Sequence, residues 1–550
     1  MPALDSAARS PLRGAVSPGG RRGRRRTQCL TLCRDRRSTL GAPASPPAAA
    51  EGGQRRAPAA RPAPPWPAVL LFAVACAGPG EQPAGVETGA DNAIIDTIFA
   101  AWDKPDSPGC ALAVARDGEF VYTRGYGYAN LDYDIPVTPQ TVFDVASVTK
   151  QFVAAVANLL ALDGTVSLDD GVREWLPELP EYASPITLRH LIHHTGGLRD
   201  YLNLFPLAGS HDYYAVSREQ LLAMMSRQRA PVFSPGERYE YSNTGYMLLA
   251  HALERAAGKS LGELAHERIF EPLGMDGSLM YENREVIIPR RATGYHRDDD
   301  GRLRVVHNYD FEIAGDGQLY TTVEDLLRWD EYLHGADQPA IHESMLTEGT
   351  LNDGEPIEYA HGITLGEYRG LRTVGHGGHS WGFLTELRRY VEPGLSIAVS
   401  CNAEYGDPGE LARRVADHYL ADQLGPVESD DEEEDDVGAE DEDSPPVPSL
   451  SSAQLAEFAG SFFSAELDAT YRFAVADSGL VVRVEQQPAL DAKPVAEDEF
   501  RVEFESRGWA ASPARLEFQR NAAGAVAGFS LSSGSERGLM FERQPALEVQ

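Results

Sequence analysis

The 550-residue sequence predicts an α+β chain. An antiparallel sheet flanked by helices is built from both ends of a central domain, a helical block lies between those ends, and a small antiparallel β domain follows. Three observations predict this. Strand-like runs with hairpin turns stand at residues 110–122 and again at 368–401. The stretch between them carries helical apolar spacing and helix-cap signals. Beyond a run of acids, residues 450–550 alternate short β runs with turns.

Residues 1–66 hold thirteen Arg and only three acids, are rich in Pro, Ala and Ser, and show no apolar periodicity. Such composition predicts a disordered leader, here taken over residues 1–89. Inside it, residues 66–76 carry about ten apolar positions behind a basic region, too short to span a bilayer and suited to the core of a secretion signal. Ala73-Val74-Ala75-Cys76 resembles a bacterial lipoprotein cleavage box, which makes Cys76 a candidate for lipidation and a membrane tether. A plain signal cleaved nearby is the alternative. The expectation is an exported protein, periplasmic or at the cell surface. Cys29 and Cys33 form a C-x3-C without further ligands, a poor zinc signal. Cys110 and Cys401 fall in predicted strands and read as buried small hydrophobes, so the cysteines give no disulfide framework.

The central domain is expected over residues 90–425. Asn92 to Trp102 reads as a short amphipathic helix. Cys110 to Tyr122 reads as strand, Asp117-Gly118 turn, strand. Ser147 opens a predicted helix whose Phe152, Val156, Leu159 and Leu160 keep helical spacing, ending at Gly164. Thr321 and Glu324 form a predicted capping box. Tyr368 to Val374 predicts a strand leading to a Gly-rich turn, followed by strands at Gly382–Tyr390 and Leu395–Cys401. Residues 430–443 contain eleven acids, so 426–449 is expected to be a linker extended by self-repulsion. The β domain beyond it, 450–550, is expected to be a lipocalin-like barrel or a sandwich.

Net charge is −34, which repels nucleic acid and anionic headgroups, so no nucleic-acid partner is expected. The chain has four lysines against forty-five arginines, and Lys150 stands three residues after Ser147. On a helix this spacing puts amine and hydroxyl on one face, roughly 5–6 Å apart at Cβ. Arginine is protonated at any working pH, whereas a desolvated lysine can lose its proton and accept one from a neighbouring hydroxyl. Tyr241-Ser242-Asn243 lies in a loop ahead of a helix, and His376-Gly377-Gly378-His379 lies at a strand edge.

With S-x-x-K, Y-x-N and H-x-G in this order, the sequence resembles the serine β-lactamase and penicillin-binding protein superfamily. It is closest in style to class C β-lactamases, D-alanyl-D-alanine carboxypeptidases, D-aminopeptidases and related esterases. The resemblance implies a β-lactamase/transpeptidase-like fold and an acyl-enzyme on Ser147. Lys150 would be the neutral base, or the group that holds the base's proton low. Tyr241 would be a second proton carrier, its phenol pKa drawn down by the nearby ammonium. Asn243 would orient Lys150 and the substrate amide. His376, where many relatives have Lys, would donate to a substrate carboxylate or to Tyr241, with strength varying near neutral pH. Gly377 and Gly378 would let substrate approach the strand closely. The backbone N–H groups of Ser147 and His379 would form an oxyanion hole, worth about 3–4 kcal/mol per donor. The implied substrate is an ester, amide or D-amino-acid peptide, and no cofactor is called for.

Two other readings stand beside this one: a true β-lactamase, and a non-catalytic penicillin-recognising surface protein. His376 in place of a permanent cation weakens the β-lactamase reading. His190, His193 and His194 have i, i+3, i+4 spacing but no acidic ligand, so no metal site is expected, and Gly196-Gly197 simply ends their helix. Oligomeric state is not legible in the sequence.

Overall fold

Asp117 and Gly118 both adopt positive φ, 49° and 80°, so the chain reverses tightly between β1 (Cys110–Arg116) and β2 (Glu119–Tyr126). The computed structural model describes residues 90–210, 217–298, 300–306, 314–335, 339–426, 450–477, 479–485, 487–504 and 512–545. The leader with Cys29, Cys33 and Cys76, and the acidic run at 430–443, lie outside the described residues.

Four later strands complete the central sheet: β3 (Thr364–Tyr368), β4 (Leu371–Ser380), β5 (Phe383–Tyr390) and β6 (Leu395–Cys401). The order is β3-β4-β5-β6-β1-β2, antiparallel throughout, so the first strand pairs with the last. Both faces are covered. Ala111, Ala113 and Ala115 face the cluster that includes the Val323–His334 helix, while Cys110, Leu112 and Val114 face the one formed with Ala90–Ile98 and Pro408–Tyr419. Central strands buried on both sides therefore read as unbroken apolar runs.

The register places Cys110 opposite Cys401, and the two sulfurs form a disulfide across the sheet centre. This corrects the expectation of two separate hydrophobes. Strand alternation puts both side chains on one face, and the pairing of chain ends, not legible from spacing, puts them side by side.

Local boundaries differ in instructive ways. A 3-10 turn, Ala146–Val148, precedes the Thr149–Leu162 helix, so Ser147 stands just ahead of the helix. The cap of the Val323–His334 helix is Thr322, whose side chain accepts from Asp325 N, because Thr321 is already paired in a strand with Phe143. The predicted Gly-rich turn is strand. One reversal, Arg369-Gly370 at φ 51° and 87°, splits the predicted strand, Gly375 to Gly378 continue β4, and the turn into β5 lies at Trp381-Gly382, with Gly382 at φ 78°. Gly378 is required by close approach: a Cβ there would stand 2.2 Å from Val145 O, in the turn that carries Ser147.

The C-terminal domain is a closed barrel of eight antiparallel strands, resolving the choice between barrel and sandwich. Its strands are β7 (Gly460–Ser464), β8 (Ala469–Ala476), β9 (Gly479–Val484), β10 (Leu490–Ala496), β11 (Glu499–Val502), β12 (Ala514–Arg520), β13 (Val526–Ser533) and β14 (Glu536–Arg543). Phe462, Phe473, Phe500, Phe518, Phe529 and Phe541 fill the interior, with Phe529 and Phe541 stacked at 4.4 Å. The apolar cluster runs on from the barrel into the helical block, where Tyr471 donates to Leu207 O at 2.7 Å.

Candidate active site

Ser147 is held on a strained backbone. Ala146 before it has φ 47°, and the buried Asp144 accepts from Ala146 N at 2.9 Å. Asp144 also accepts from the Ser380 hydroxyl at 2.9 Å, and burial pushes its carboxyl up to about 6.

Lys150 is fully buried one turn on. Its Nζ lies 3.0 Å from Ser147 Oγ, 3.0 Å from Asn243 Oδ1 and 2.8 Å from Asp316 O. The amide oxygen and the carbonyl can only accept, whereas the serine hydroxyl can also donate. A neutral amine has two N–H groups and one lone pair, so the site suits NH2 with its lone pair on Ser147. Burial lowers the Lys150 pKa to about 8, against the opposing charges of Asp316 and Asp200.

Tyr241 turns its hydroxyl to Ser147, although 37% of the residue's surface stays exposed. The expected lowering of its pKa is corrected. Burial of the hydroxyl end pushes it up, the bond to Ser147 opposes this only in part, and Asp316 and Asp200 add negative charge nearby. Tyr241 is thus a phenol at neutral pH. His194, itself at φ 57°, positions it: the two rings lie 4.2 Å apart, His194 Nδ1 accepts from Ser242 N at 3.0 Å, and His194 O accepts from Glu240 N at 3.0 Å.

His376 lines the cleft but differs from expectation. Its Nδ1 lies 2.5 Å from Gly377 O, which can only accept, so Nδ1 carries the proton and Nε2 accepts from Tyr359 OH at 3.1 Å. With both nitrogens engaged, it is not free to donate to a substrate carboxylate or to Tyr241. Burial and the Lys150 charge push it down to about 4, so it is neutral near pH 7 and does not titrate there.

The three histidines at 190–194 separate. His190 folds back on Thr187 at 2.9 Å, His193 packs edge-on against His361, and His194 lies under Tyr241. Among the described residues no group of three His, Cys, Asp or Glu could hold a metal ion.

The structure thus gathers Ser147, Lys150, Tyr241 and Asn243 around one amine, and sets His376, Gly377, Gly378 and His379 along the cleft wall. Sequence reasoning missed Asp144, Asp316, Asp200 and His194. Asp316 stands between Gly315 and Gly317, a turn signal that could have marked it. Its Oδ2 accepts from Tyr201 OH at 2.9 Å, its Oδ1 makes no hydrogen bond, and burial pushes its carboxyl up to about 6. The inner cleft beside Ser147 is lined by Asp144 and Asp316, and by no Lys or Arg among the described residues.

A sheet with helices on both faces and a serine hydroxyl against a buried amine define a serine hydrolase. The family model described as Beta-lactamase matches residues 94–421, and the chain belongs to that family. A penicillin-binding protein of Bacillus subtilis (strain 168) is 31% identical over 344 residues, 59% of this chain and 75% of that protein. A D-aminopeptidase of Gluconobacter oxydans (strain 621H) is 31% identical over 298 residues, 54% of this chain and 56% of that enzyme, so the chain spans little more than half of it. The octameric penicillin-binding protein homologue from Pyrococcus abyssi superposes with TM-score 0.53 at 23% identity, over 83% of this chain and all of that one. D-amino acid amidase from Ochrobactrum anthropi SV3, complexed with L-phenylalanine, gives 0.51 at 24% identity over 60% of this chain and 99% of that one. These superpositions concern the fold alone.

Proposed function

We propose that the protein hydrolyses amides or esters of D-amino acids bearing a free α-amino group, through an acyl-enzyme on Ser147. The observation that carries the mechanism is the Lys150 amine, buried between two pure acceptors and one hydroxyl. Ser147 Oγ bonds to the acyl carbon as its proton passes to Lys150. The C–N or C–O bond then breaks, and the leaving group takes that proton through the Tyr241 hydroxyl. Water next adds to the acyl carbon, giving its proton to Lys150. The ester bond to Oγ breaks, and Ser147 regains its proton from Lys150. Asn243 orients the amine, and the backbone N–H groups of Ser147 and His379 take the oxyanion.

Substrate class is argued from charge. The Asp144 and Asp316 carboxylates, raised to about 6 by burial, favour an ammonium in the inner cleft and repel a carboxylate such as that of a β-lactam. The neutral His376 offers that carboxylate no cation. The D configuration rests on the D-aminopeptidase relatives. Export to the periplasm or cell surface is proposed as well, supported by the Cys110–Cys401 disulfide, since such bonds persist in oxidising compartments.

The test compares D-alanine p-nitroanilide, its N-acetyl derivative and a chromogenic cephalosporin, with a fluorophosphonate as covalent label. The free amine should exceed the acetylated substrate about tenfold or more in kcat/KM, and Asp316→Asn should narrow that ratio. A cephalosporin turned over best would overturn the substrate class. A wild-type protein that takes no label would overturn the mechanism.

A further inference from the structure

The barrel reaches the hydrolase domain through a buried charge cluster instead of an apolar seam alone. Arg199 NH1 donates to Glu466 Oε1 at 2.7 Å and to Gln228 Oε1 at 3.0 Å, and its NH2 donates to Arg537 O at 2.8 Å. Glu466 comes from the β7–β8 turn. Glu536, first residue of β14, accepts from Asp200 N at 2.9 Å, and its other oxygen faces Arg199 Nε at 3.6 Å. Arg199, Asp200, Glu466 and Glu536 are 4%, 8%, 2% and 0% exposed. Buried charges of this kind contribute little net stability compared with apolar packing, so the cluster points to a geometric task.

That task is legible one bond further in. Asp200 Oδ2 accepts from Asn243 N at 2.5 Å, and Asn243 Oδ1 is an acceptor for Lys150. The next residue, Tyr201, donates to Asp316, whose carbonyl is the second acceptor for Lys150. Two chains of hydrogen bonds thus leave residues 200–201 and meet at the amine. Leu202, one residue on, lines the cleft.

We propose that Glu536 is a positioning residue of the hydrolase: the barrel hairpin β13–β14 holds the Arg199–Asp200–Tyr201 segment, which sets Asn243 and Asp316 against Lys150. The barrel then takes part in turnover without touching substrate. The proposal rests on Lys150 as the base. Burial, with the neighbouring Asp200 charge, pushes the Glu536 carboxyl up to about 7 even with Arg199 close by.

The experiment uses the full chain with Glu536→Ala, Glu536→Gln and, as a control in the same interface, Tyr471→Phe, which removes only the bond to Leu207 O. Turnover is followed with the substrate best cleaved by the wild type, and amide hydrogen exchange is read at Asp200 and Asn243. Glu536→Ala should lower kcat about 10- to 100-fold with KM within about twofold, and speed exchange at both amides about tenfold or more. Glu536→Gln, which keeps the acceptor for Asp200 N, should recover kcat to within about threefold of wild type. Tyr471→Phe should change neither reading. Unchanged exchange at Asn243 in Glu536→Ala, or an equal kcat loss in Tyr471→Phe, would overturn the proposal. If Glu536→Ala does not fold, Glu536→Asp, shorter by one methylene, carries the same comparison. A wild type without turnover would instead count against Ser147 chemistry, and the exchange data would still decide the positioning role.

Discussion

The two interiors of this molecule are built on opposite terms. The barrel is filled with phenylalanine rings, Phe529 alone lying within 6 Å of five other aromatic centroids. The cleft buries Lys150, Asp144, Asp316 and Asp200, each shifted against its charged form by loss of water. One interior maximises contact; the other holds charges off their comfortable values so that a proton can move. The difference teaches that damage should show as lost rate in the cleft and as lost stability among the packed rings of the barrel, away from the Glu536 seam.

The sharpest way to break that contrast is Ser147→Ala. We expect kcat to fall by about 10⁴-fold or more, covalent labelling to vanish and the melting temperature to stay within a few degrees. Full turnover in this variant would end the nucleophile assignment. Lys150→Arg comes next, with a loss of about 10³-fold despite the kept charge. In the wild type the amine must be neutral to act as a base. Since its pKa lies near 8, kcat/KM for the N-acetyl substrate, which has no titrating amine, should climb about tenfold per pH unit below that value and level off above it. A flat profile between pH 6 and 8 would sink the base role.

In the barrel, Phe529→Ala should cost about 3–5 kcal/mol in denaturant unfolding, with kcat of the folded protein unchanged at 25 °C. Replacing both Cys110 and Cys401 by Ala should lower stability by about 2–4 kcal/mol, again without altering kcat. A rate effect as large as the stability effect in Phe529→Ala would erase the distinction between the two interiors, and one in the cysteine variant would tie the sheet bond to the cleft.

Much of this was legible in the chain. Ser147, Lys150, Tyr241 and Asn243 could be found because each motif is local, and the tight turn at Asp117-Gly118 could be read from two residues. What escaped was non-local. Pairing Cys110 with Cys401 requires knowing that the first strand neighbours the last, 291 residues away. The behaviour of Tyr241 and His376 was misjudged because their pKa values depend on burial and on Asp316, Asp200 and Lys150, which a motif does not display. The Gly-rich stretch read as a turn because glycine permits both a reversal and a tight contact. Only Val145, packed against Gly378, tells them apart.

The pairing of β1 with β6 also fixes when the enzyme domain can exist at all. During synthesis the strand at 110–116 has its hairpin partner early, but its second edge stays unsatisfied until residues 395–401 emerge. A nascent chain stopped short of that point carries an open, apolar β edge, a target for chaperones and for aggregation. Completion of the sheet is therefore an all-or-nothing event timed by the last strand, and the bond between the two cysteines records that it has taken place.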